Sequence, residues 1–372
     1  MKKEHILVIR FSALGDVAMV VPVVWSLAHQ YPDVRITVLS RGFARPFFED
    51  LAPNVGFMEA DLKREYHGIK GLNALYRRLA AKQFTAVADL HSVLRSSFLR
   101  MRFNLNRYHV AHLNKHRKGR RHLTAASSKK ELVQQPTSFQ NYSDVFNRLG
   151  FPVTIDFKSI FENTPTGKGD LSLLPESILS LLTSHLSPLT SHLSPLTSHL
   201  SPLIGIAPFA AHEGKIYPPQ LMEQVIKQLT AQHPDARILL FGRGERENQL
   251  FTEWCKQYPQ CIFVSQHLEN IQQELILMSH LSVMLSMDSA NMHMASLVAT
   301  PVVSVWGATH PYAGFMGWGQ NSENIVQVDL DCRPCSIYGQ KPCLRGDYAC
   351  MNMIKPETIV EKINSLLQTK NN

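Results

Sequence analysis

The opening stretch constrains the fold most. His5-Ile-Leu-Val-Ile-Arg10 reads as a buried strand, Phe11-Ser-Ala-Leu-Gly-Asp16 as a tight turn, and Val17 to Leu27 as an apolar run long enough for a helix. A strand, a glycine-containing turn and a helix form the first half of a βαβ unit, the building block of a parallel sheet. Ligands collect at such turns because strand carboxyl ends and helix amino ends converge there. Asp16 stands at the helix mouth, directly after Gly15. A carboxylate there suits a general base or a binder of hydroxyls better than a phosphate grip. It also suits a helix N-cap, and on this stretch alone the two readings stay open.

The pattern restarts in the second half. Leu203-Ile-Gly-Ile-Ala207 reads as a strand, followed by the turn Pro208–Pro218, a helix over Pro219–Gln232, a strand Ala236–Phe241 and the turn Gly242-Arg-Gly244-Glu245. Strands at Ser282–Leu285 and Pro301–Val305 flank a short helix, Ala290–Val298, and a helix at Pro356–Gln368 closes the chain. In the first half, strands are expected at His5–Arg10, Arg35–Leu39 and Ala86–Leu90, with helices over Val17–Gln30 and Leu72–Lys82. The expected architecture is α/β: two Rossmann-like, doubly wound domains facing across a cleft. The expected boundaries are an N-terminal Rossmann-like domain at 1–165, a linker at 166–202, a C-terminal Rossmann-like domain at 203–355 and a terminal helix at 356–372. Within the linker, Leu-Thr-Ser-His-Leu-Ser-Pro recurs three times in tandem, at 182–188, 189–195 and 196–202. A proline every seventh residue blocks a continuous helix, so this reads as a mobile interdomain strap whose histidines are passengers.

Length and composition bound the class. The chain has 372 residues, enough for two domains, with 44% apolar and 18% charged residues, as in a soluble globular protein. No apolar run approaches the ~18–20 residues that span a bilayer, and Met1-Lys-Lys-Glu4 leads straight into a strand, so a cytoplasmic protein is expected. The net charge of +8 is unevenly placed: from Arg95 to Lys130 there are eleven Lys or Arg, four His and no Asp or Glu. Such a block attracts polyanions. It has no RNA-binding signature with interleaved aromatics and no recognisable helix-turn-helix, which disfavours nucleic acid as the partner.

Three clusters in the second half suit one phosphate-bearing ligand. Ala210-Ala-His-Glu-Gly-Lys215 is a small-residue loop with a lysine that can meet a diphosphate. In Gly242-Arg-Gly244-Glu245 the glycines admit a ligand close to the backbone, and the carboxylate can bind ribose hydroxyls. In Ser286-Met-Asp288-Ser289-Ala290-Asn-Met-His293, Asp288 or Ser289 would cap a helix whose first N–H groups face an anion. Neither G-x-G-x-x-G after the first strand nor G-x-x-x-x-G-K-[ST] occurs, which argues against a dehydrogenase and a kinase.

These residues carry a resemblance. Phe11-Ser-Ala-Leu-Gly-Asp16-Val17 with Pro22, Asp89-Leu-His91 with Arg95-Ser96, Lys215-Ile-Tyr217-Pro218, Asp288–His293 with Ala295, and Val302–Pro311 together resemble glycosyltransferase family 9, the bacterial lipopolysaccharide heptosyltransferases. Ala290 stands where that family usually has glycine, and Tyr217 where tryptophan is common. The resemblance implies a GT-B fold and an inverting, metal-independent transfer of heptose from ADP-heptose to the Kdo-lipid A inner core. It implies Asp16 as general base, Lys215 on the donor diphosphate, Glu245 on the ribose, and Asp288, Ser289, Ala290 and His293 around the nucleotide sugar. The basic block, with Arg95, Arg117, Arg120 and Arg121, would meet the anionic acceptor in peripheral contact with the cytoplasmic face of the inner membrane. Two alternatives stand beside it: a GT-B transferase using another nucleotide sugar and anionic acceptor, and a non-catalytic polyanion-binding protein that keeps the fold.

Cys255 and Cys261 read as reduced thiols. Cys332, Cys335, Cys343 and Cys350 offer four thiols within nineteen residues, which admits a structural zinc site, although the second pair lacks the tight spacing of standard zinc ligands. No cofactor is expected in catalysis.

Overall fold

A computed structural model describes residues 4–183 and 201–369. The chain divides into two compact units, Met1–Arg117 with Gln135–Lys158, and Lys118–Gln134 with Ser159–Asn372.

The first unit is built on five strands: β1 (His5–Ile9), β2 (Arg35–Ser40), β3 (Val55–Glu59), β4 (Ala86–Asp89) and β5 (His109–His112). They lie in the order β3-β2-β1-β4-β5, and every described ladder is parallel. Ile6 pairs with Ile36 on one side and with Ala86 on the other, so β1 is central and the chain winds outward in both directions. All five β1 residues are buried, as a continuous apolar run requires in a sheet covered on both faces. Leu7, Ile9, Leu39 and Val87 join Phe11, Leu99 and Phe103 in one apolar core.

Two strands escaped the sequence reading. β3 carries Gly56 and is partly exposed, and β5 is His-Val-Ala-His inside the basic block. Both are edge strands, and with less to bury they show little of the hydrophobic signal by which strands are recognised. The helix expected over Val17–Gln30 is two helices, Leu14–Ala18 and Val21–Gln30. Pro22 is the cause: in an unbroken helix its ring would meet the carbonyl of Ala18 and its missing N–H would leave a gap, whereas the first turn of a new helix accommodates it. The helix expected at Leu72–Lys82 runs from Gly68 to Ala80.

The second unit is built on β6 (Leu203–Ala207), β7 (Arg237–Leu240), β8 (Cys261–Phe263), β9 (Val283–Met287), β10 (Val302–Val305) and β11 (Ile325–Val326), in the order β11-β10-β9-β6-β7-β8, again parallel. The short edge strands β8 and β11 were likewise missed. The helices Pro219–Gln232, Ala290–Leu297 and Pro356–Thr369 lie where the pattern placed them, to within a residue at each end. Most of the tandem repeat lies outside the described residues. The segment ahead of it is not a bare strap: it holds a helix at Glu176–Thr183 with Ile178 buried, and Gly169 donates its N–H to Ser279 Oγ at 2.9 Å.

Close backbone packing marks the end of β10. A Cβ at Gly307 would stand 2.6 Å from the Gly214 carbonyl oxygen and 2.7 Å from Met351 Cε. Gly307→Ala is therefore expected to lower stability by about 1–3 kcal/mol through overpacking. Urea unfolding measures it, and an unchanged midpoint would show that the two loops separate without cost.

Candidate functional site

Both sheets reverse their winding direction at one place, and chemistry gathers at each. In the first unit the switch point lies between β1 and β4. Arg10, the residue after β1, is buried and bridges it: Nη1 donates to the Leu90 carbonyl at 2.7 Å, and Nη2 pairs with Asp16 Oδ2 at 2.6 Å. The same Asp16 oxygen accepts the Ala13 N–H at 3.2 Å, and the Tyr142 hydroxyl lies 3.4 Å from the Asp16 carbonyl. Asp16 is thus not the N-cap. Ala13 holds that position, and Asp16 reaches back to it from the third helical position. Its side chain is 31% exposed, so the carboxylate is oriented by a buried cation while keeping a face open to ligand. Arg10 was absent from the sequence-derived site. Its signal is an arginine ending an otherwise apolar, wholly buried strand.

Asp89, after β4, is fully buried and accepts the N–H groups of His91 at 3.0 Å and Ser92 at 2.9 Å, with Arg100 Nη1 at 3.3 Å. It shapes the turn that presents His91. His91 Nδ1 accepts the Phe11 N–H at 3.4 Å, which places the ring proton on Nε2. Burial, aided by the Arg10 charge, pushes His91 down to about 3, so the ring is neutral at ordinary pH. Beside it lies a cavity of about 360 Å³ lined by Phe11, Arg41, Lys63, His91, Leu94 and Arg95 among others. Three cations and a neutral imidazole around one cavity suit an anionic, hydroxylated ligand. Arg41, Lys63 and His91 were not singled out as site residues by sequence.

In the second unit the switch point lies between β6 and β9. Lys215, in the loop after β6, and Asp288, directly after β9, meet there with Nζ and Oδ2 at 3.2 Å. Thr309 Oγ1, in the loop after β10, donates to the same oxygen at 2.8 Å. Ser289 occupies the N-cap of the Ala290–Leu297 helix without capping it; its hydroxyl lies 3.2 Å from Ser286 Oγ instead. The first-turn N–H groups therefore lack a side-chain cap, and an uncapped helix start can hold phosphate. Ala290 is half-buried at this helix start, and His293 is buried further along the same helix. Glu245 is exposed at the start of the Glu245–Gln257 helix, after β7. Its neighbour Arg246 pairs with Glu213 at 3.0 Å, joining this loop to the Lys215 loop. Lys215, Glu245, Asp288, Ser289 and Ala290 are thus all carried by segments that follow strands of one sheet.

Arg333 braces this arrangement. It is buried, and Nε and Nη2 donate to the Gly307 and Thr309 carbonyls at 2.5 and 3.0 Å, while Nη1 bonds the Val328 carbonyl. Lys130 in turn donates to the carbonyls of Asp331 and Arg333 at 2.7 and 2.8 Å. Gly339, at φ 83°, lies against the Lys215 stem, where a Cβ would come within 2.6 Å of it. The adjacent Tyr338 hydroxyl accepts from Arg120 at 2.7 Å, and the Arg120 guanidinium lies over the rings of Phe315 and Tyr338.

The residues of the basic block are divided between the two units. Arg95 and Arg117 belong to the first unit and Arg120 and Arg121 to the second, and Arg120 is engaged in packing. The six cysteines are free thiols. Burial pushes the Cys350 thiol up to about 11 and raises that of Cys335. Among the described residues, no three His, Cys, Asp or Glu side chains converge to hold a metal. Tyr217 is fully buried, its hydroxyl donating to the Ile354 carbonyl at 2.8 Å.

Two expected outcomes follow from this geometry. His310 is held down to about 4, by burial first and then by Arg333, as His91 is held to about 3. An imidazole kept neutral in the fold and free to protonate when unfolded stabilises above pH 6.5, and that stability is lost as pH falls through the folded values. Denaturant midpoints should fall steadily from pH 7 to pH 4, with His91→Asn and His310→Asn each flattening the slope, which approaches about 1.4 kcal/mol per pH unit for each ring. Arg333→Met leaves buried carbonyls without donors and should cost about 3 kcal/mol or more in thermal or urea unfolding.

A profile of glycosyltransferase family 9 (heptosyltransferase) matches residues 72–343, a span that includes Lys215, Glu245 and Asp288 and begins after Asp16. Lipooligosaccharide heptosyltransferase 2 of Campylobacter jejuni is 27% identical over 134 residues, covering 35% of this chain and 41% of that protein. The family 9 glycosyltransferase of Veillonella parvula superposes with a TM-score of 0.69 at 17% identity, over 99% of this chain and 98% of that one. The ADP-heptose lipopolysaccharide heptosyltransferase II of Escherichia coli gives 0.63 at 18% identity, over 99% and 100%. Fold and profile together show two Rossmann-like sheets of the GT-B type, and the chain belongs to glycosyltransferase family 9, the heptosyltransferases.

Proposed function

We propose that this protein transfers heptose from ADP-heptose to the Kdo-lipid A inner core of lipopolysaccharide, inverting the anomeric centre without a metal ion, at the cytoplasmic face of the inner membrane. The observation that carries the reading is the pair of switch points: one holds an oriented carboxylate beside a cationic cavity, the other a lysine beside an uncapped helix start.

An inverting displacement needs a base on the attacking hydroxyl and neutralisation of the departing diphosphate. In this reading Asp16 takes the proton of the acceptor hydroxyl, and Arg10 keeps its carboxylate aimed. Arg41, Lys63 and Arg95 neutralise the anionic acceptor, while His91 donates Nε2–H to one of its oxygens. On the donor side Lys215 leaves Asp288 for the diphosphate, and the N–H groups of the Ala290–Leu297 helix accept the remaining charge. Asp288 stays bonded to Thr309 and receives a hydroxyl of the nucleotide sugar, and Glu245 receives the ribose. Lysine and helix dipole supply the positive charge that a divalent cation supplies elsewhere.

The test is release of ADP from ADP-heptose in the presence of Kdo-lipid A. Asp16→Asn should reduce kcat by about 10²–10⁴, the usual contribution of a positioned base. Lys215→Ala should reduce kcat/KM for the donor by about 10²–10³. Turnover should persist in excess EDTA. Folded wild-type protein silent with ADP-heptose but active with another nucleotide sugar would redirect the donor assignment. Asp16→Asn with full activity would remove the base.

A further inference from the structure

The helix Leu94–Leu105 has two apolar faces: one is buried in the core, and the other is exposed except at Phe98, which is half-buried and packs against the core. Ser96, Leu99 and Phe103 point into the core. At about 100° per residue, Leu94, Phe98, Met101 and Leu105 fall within about 60° of one another on the opposite side. Leu94 is 88% exposed, Leu105 70% and Met101 49%. Spacings of four, three and four residues make a continuous ridge about 16 Å long. The neighbouring helix, Gly68–Ala80, lies alongside: the Tyr76 and Phe103 rings meet at 5.1 Å and Arg102 stacks over Tyr76 at 4.9 Å. That neighbouring helix also carries an exposed apolar side chain in its first turn, Ile69, which is 69% exposed.

The surroundings are cationic. Arg95 and Arg102 flank the ridge, and Lys63, Arg64, Lys70 and Arg107 are carried at or near the ends of these helices; of the acids in the segment before Gly68, Asp61 accepts the Lys63 and Arg64 N–H groups at 3.0 and 3.1 Å and Glu65 pairs with Arg78 at 3.8 Å. Leu94 and Arg95 also line the cationic cavity beside His91, so ridge and cavity are continuous.

We propose that this ridge docks the protein on an anionic lipid surface, Met101, Leu105 and Ile69 entering the acyl boundary while the arginines and lysines meet headgroup phosphates. The proposal rests on the acceptor reading above and deepens it: a lipid whose sugar head occupies the cavity would leave its acyl part along the ridge. Charge complementarity selects this occupant, because an apolar strip rimmed with cations is the pattern of interfacial helices. A single convex helix face also offers much less than the roughly 800 Å² per partner of a stable protein interface. A membrane demands no matching shape.

The experiment is flotation of the full chain with vesicles of equimolar phosphatidylcholine and phosphatidylglycerol, and with phosphatidylcholine alone, comparing wild type with Met101→Ser/Leu105→Ser. Wild type should float with the anionic vesicles, less in high salt and less with the neutral ones. The double variant, both changes lying on the surface, should partition about tenfold less or weaker still. Its unfolding midpoint and its kcat/KM on a water-soluble, deacylated acceptor should stay at the wild-type values. Unchanged flotation of the variant, or no flotation of wild type, overturns the proposal. So does light scattering that shows a wild-type dimer turned monomeric by the two serines, since the ridge would then cover a second copy of the chain. Flotation needs no turnover: loss of the transfer reaction with flotation intact would refute the reading of function and leave the docking surface standing.

Discussion

A parallel sheet cannot be closed by tight hairpins. Each strand must be followed by a crossover, and crossovers in one sheet share a hand. In both units the chain therefore starts at an inner strand, β1 or β6, winds to one edge, and returns to wind to the other. Where the direction reverses, the loops on the two sides diverge and leave a gap above the strand ends. Everything of chemical interest follows from that constraint. Arg10 and Asp16 stand beside Leu90 and His91 because β1 and β4 are neighbours, although some eighty residues separate them. Lys215 meets Asp288 because β6 and β9 are neighbours.

The two gaps are held open differently. In the first unit a buried arginine spans the gap and points a carboxylate, so one cation both satisfies the Leu90 carbonyl and orients Asp16. Truncating such a group would strand its partner, which makes the arrangement stiff. In the second unit the anchoring is indirect. Asp288 is gripped by Lys215 and Thr309, Thr309 is held through its carbonyl by Arg333, and Arg333 is held through its own carbonyl by Lys130. Lys215 is held at its ammonium by Asp288 alone among these groups, while Asp288 keeps a second partner in Thr309. The basic run from Arg95 to Lys130 serves both units: part of it lines the first cavity, and part is spent bracing the loops of the second sheet.

Legibility followed burial. The central strands β1, β4, β6, β9 and β10 and the long amphipathic helices announce themselves, because wholly buried segments must be apolar and half-buried helices must be periodic. The edge strands β3, β5, β8 and β11 are short or polar, and their strand character comes from a neighbour's free edge more than from their own residues. Pro22 was visible as a family landmark, yet its mechanical effect, splitting one expected helix into two, needed the helix geometry.

The sequence by itself determined two Rossmann-like halves, the loops that carry Asp16, Lys215, Glu245 and Asp288, and the family. These rest on local patterns: apolar runs, turn residues and motif order. Only the tertiary structure decided that Arg10 aims Asp16, that Asp89 shapes a turn while His91 faces a cavity, that Arg120 packs over two rings and Arg333 braces the loops after β10. A charged side chain looks alike in sequence whether it meets solvent, ligand or a buried carbonyl. Its partner is chosen by strand order and burial, which bring together residues far apart in the chain.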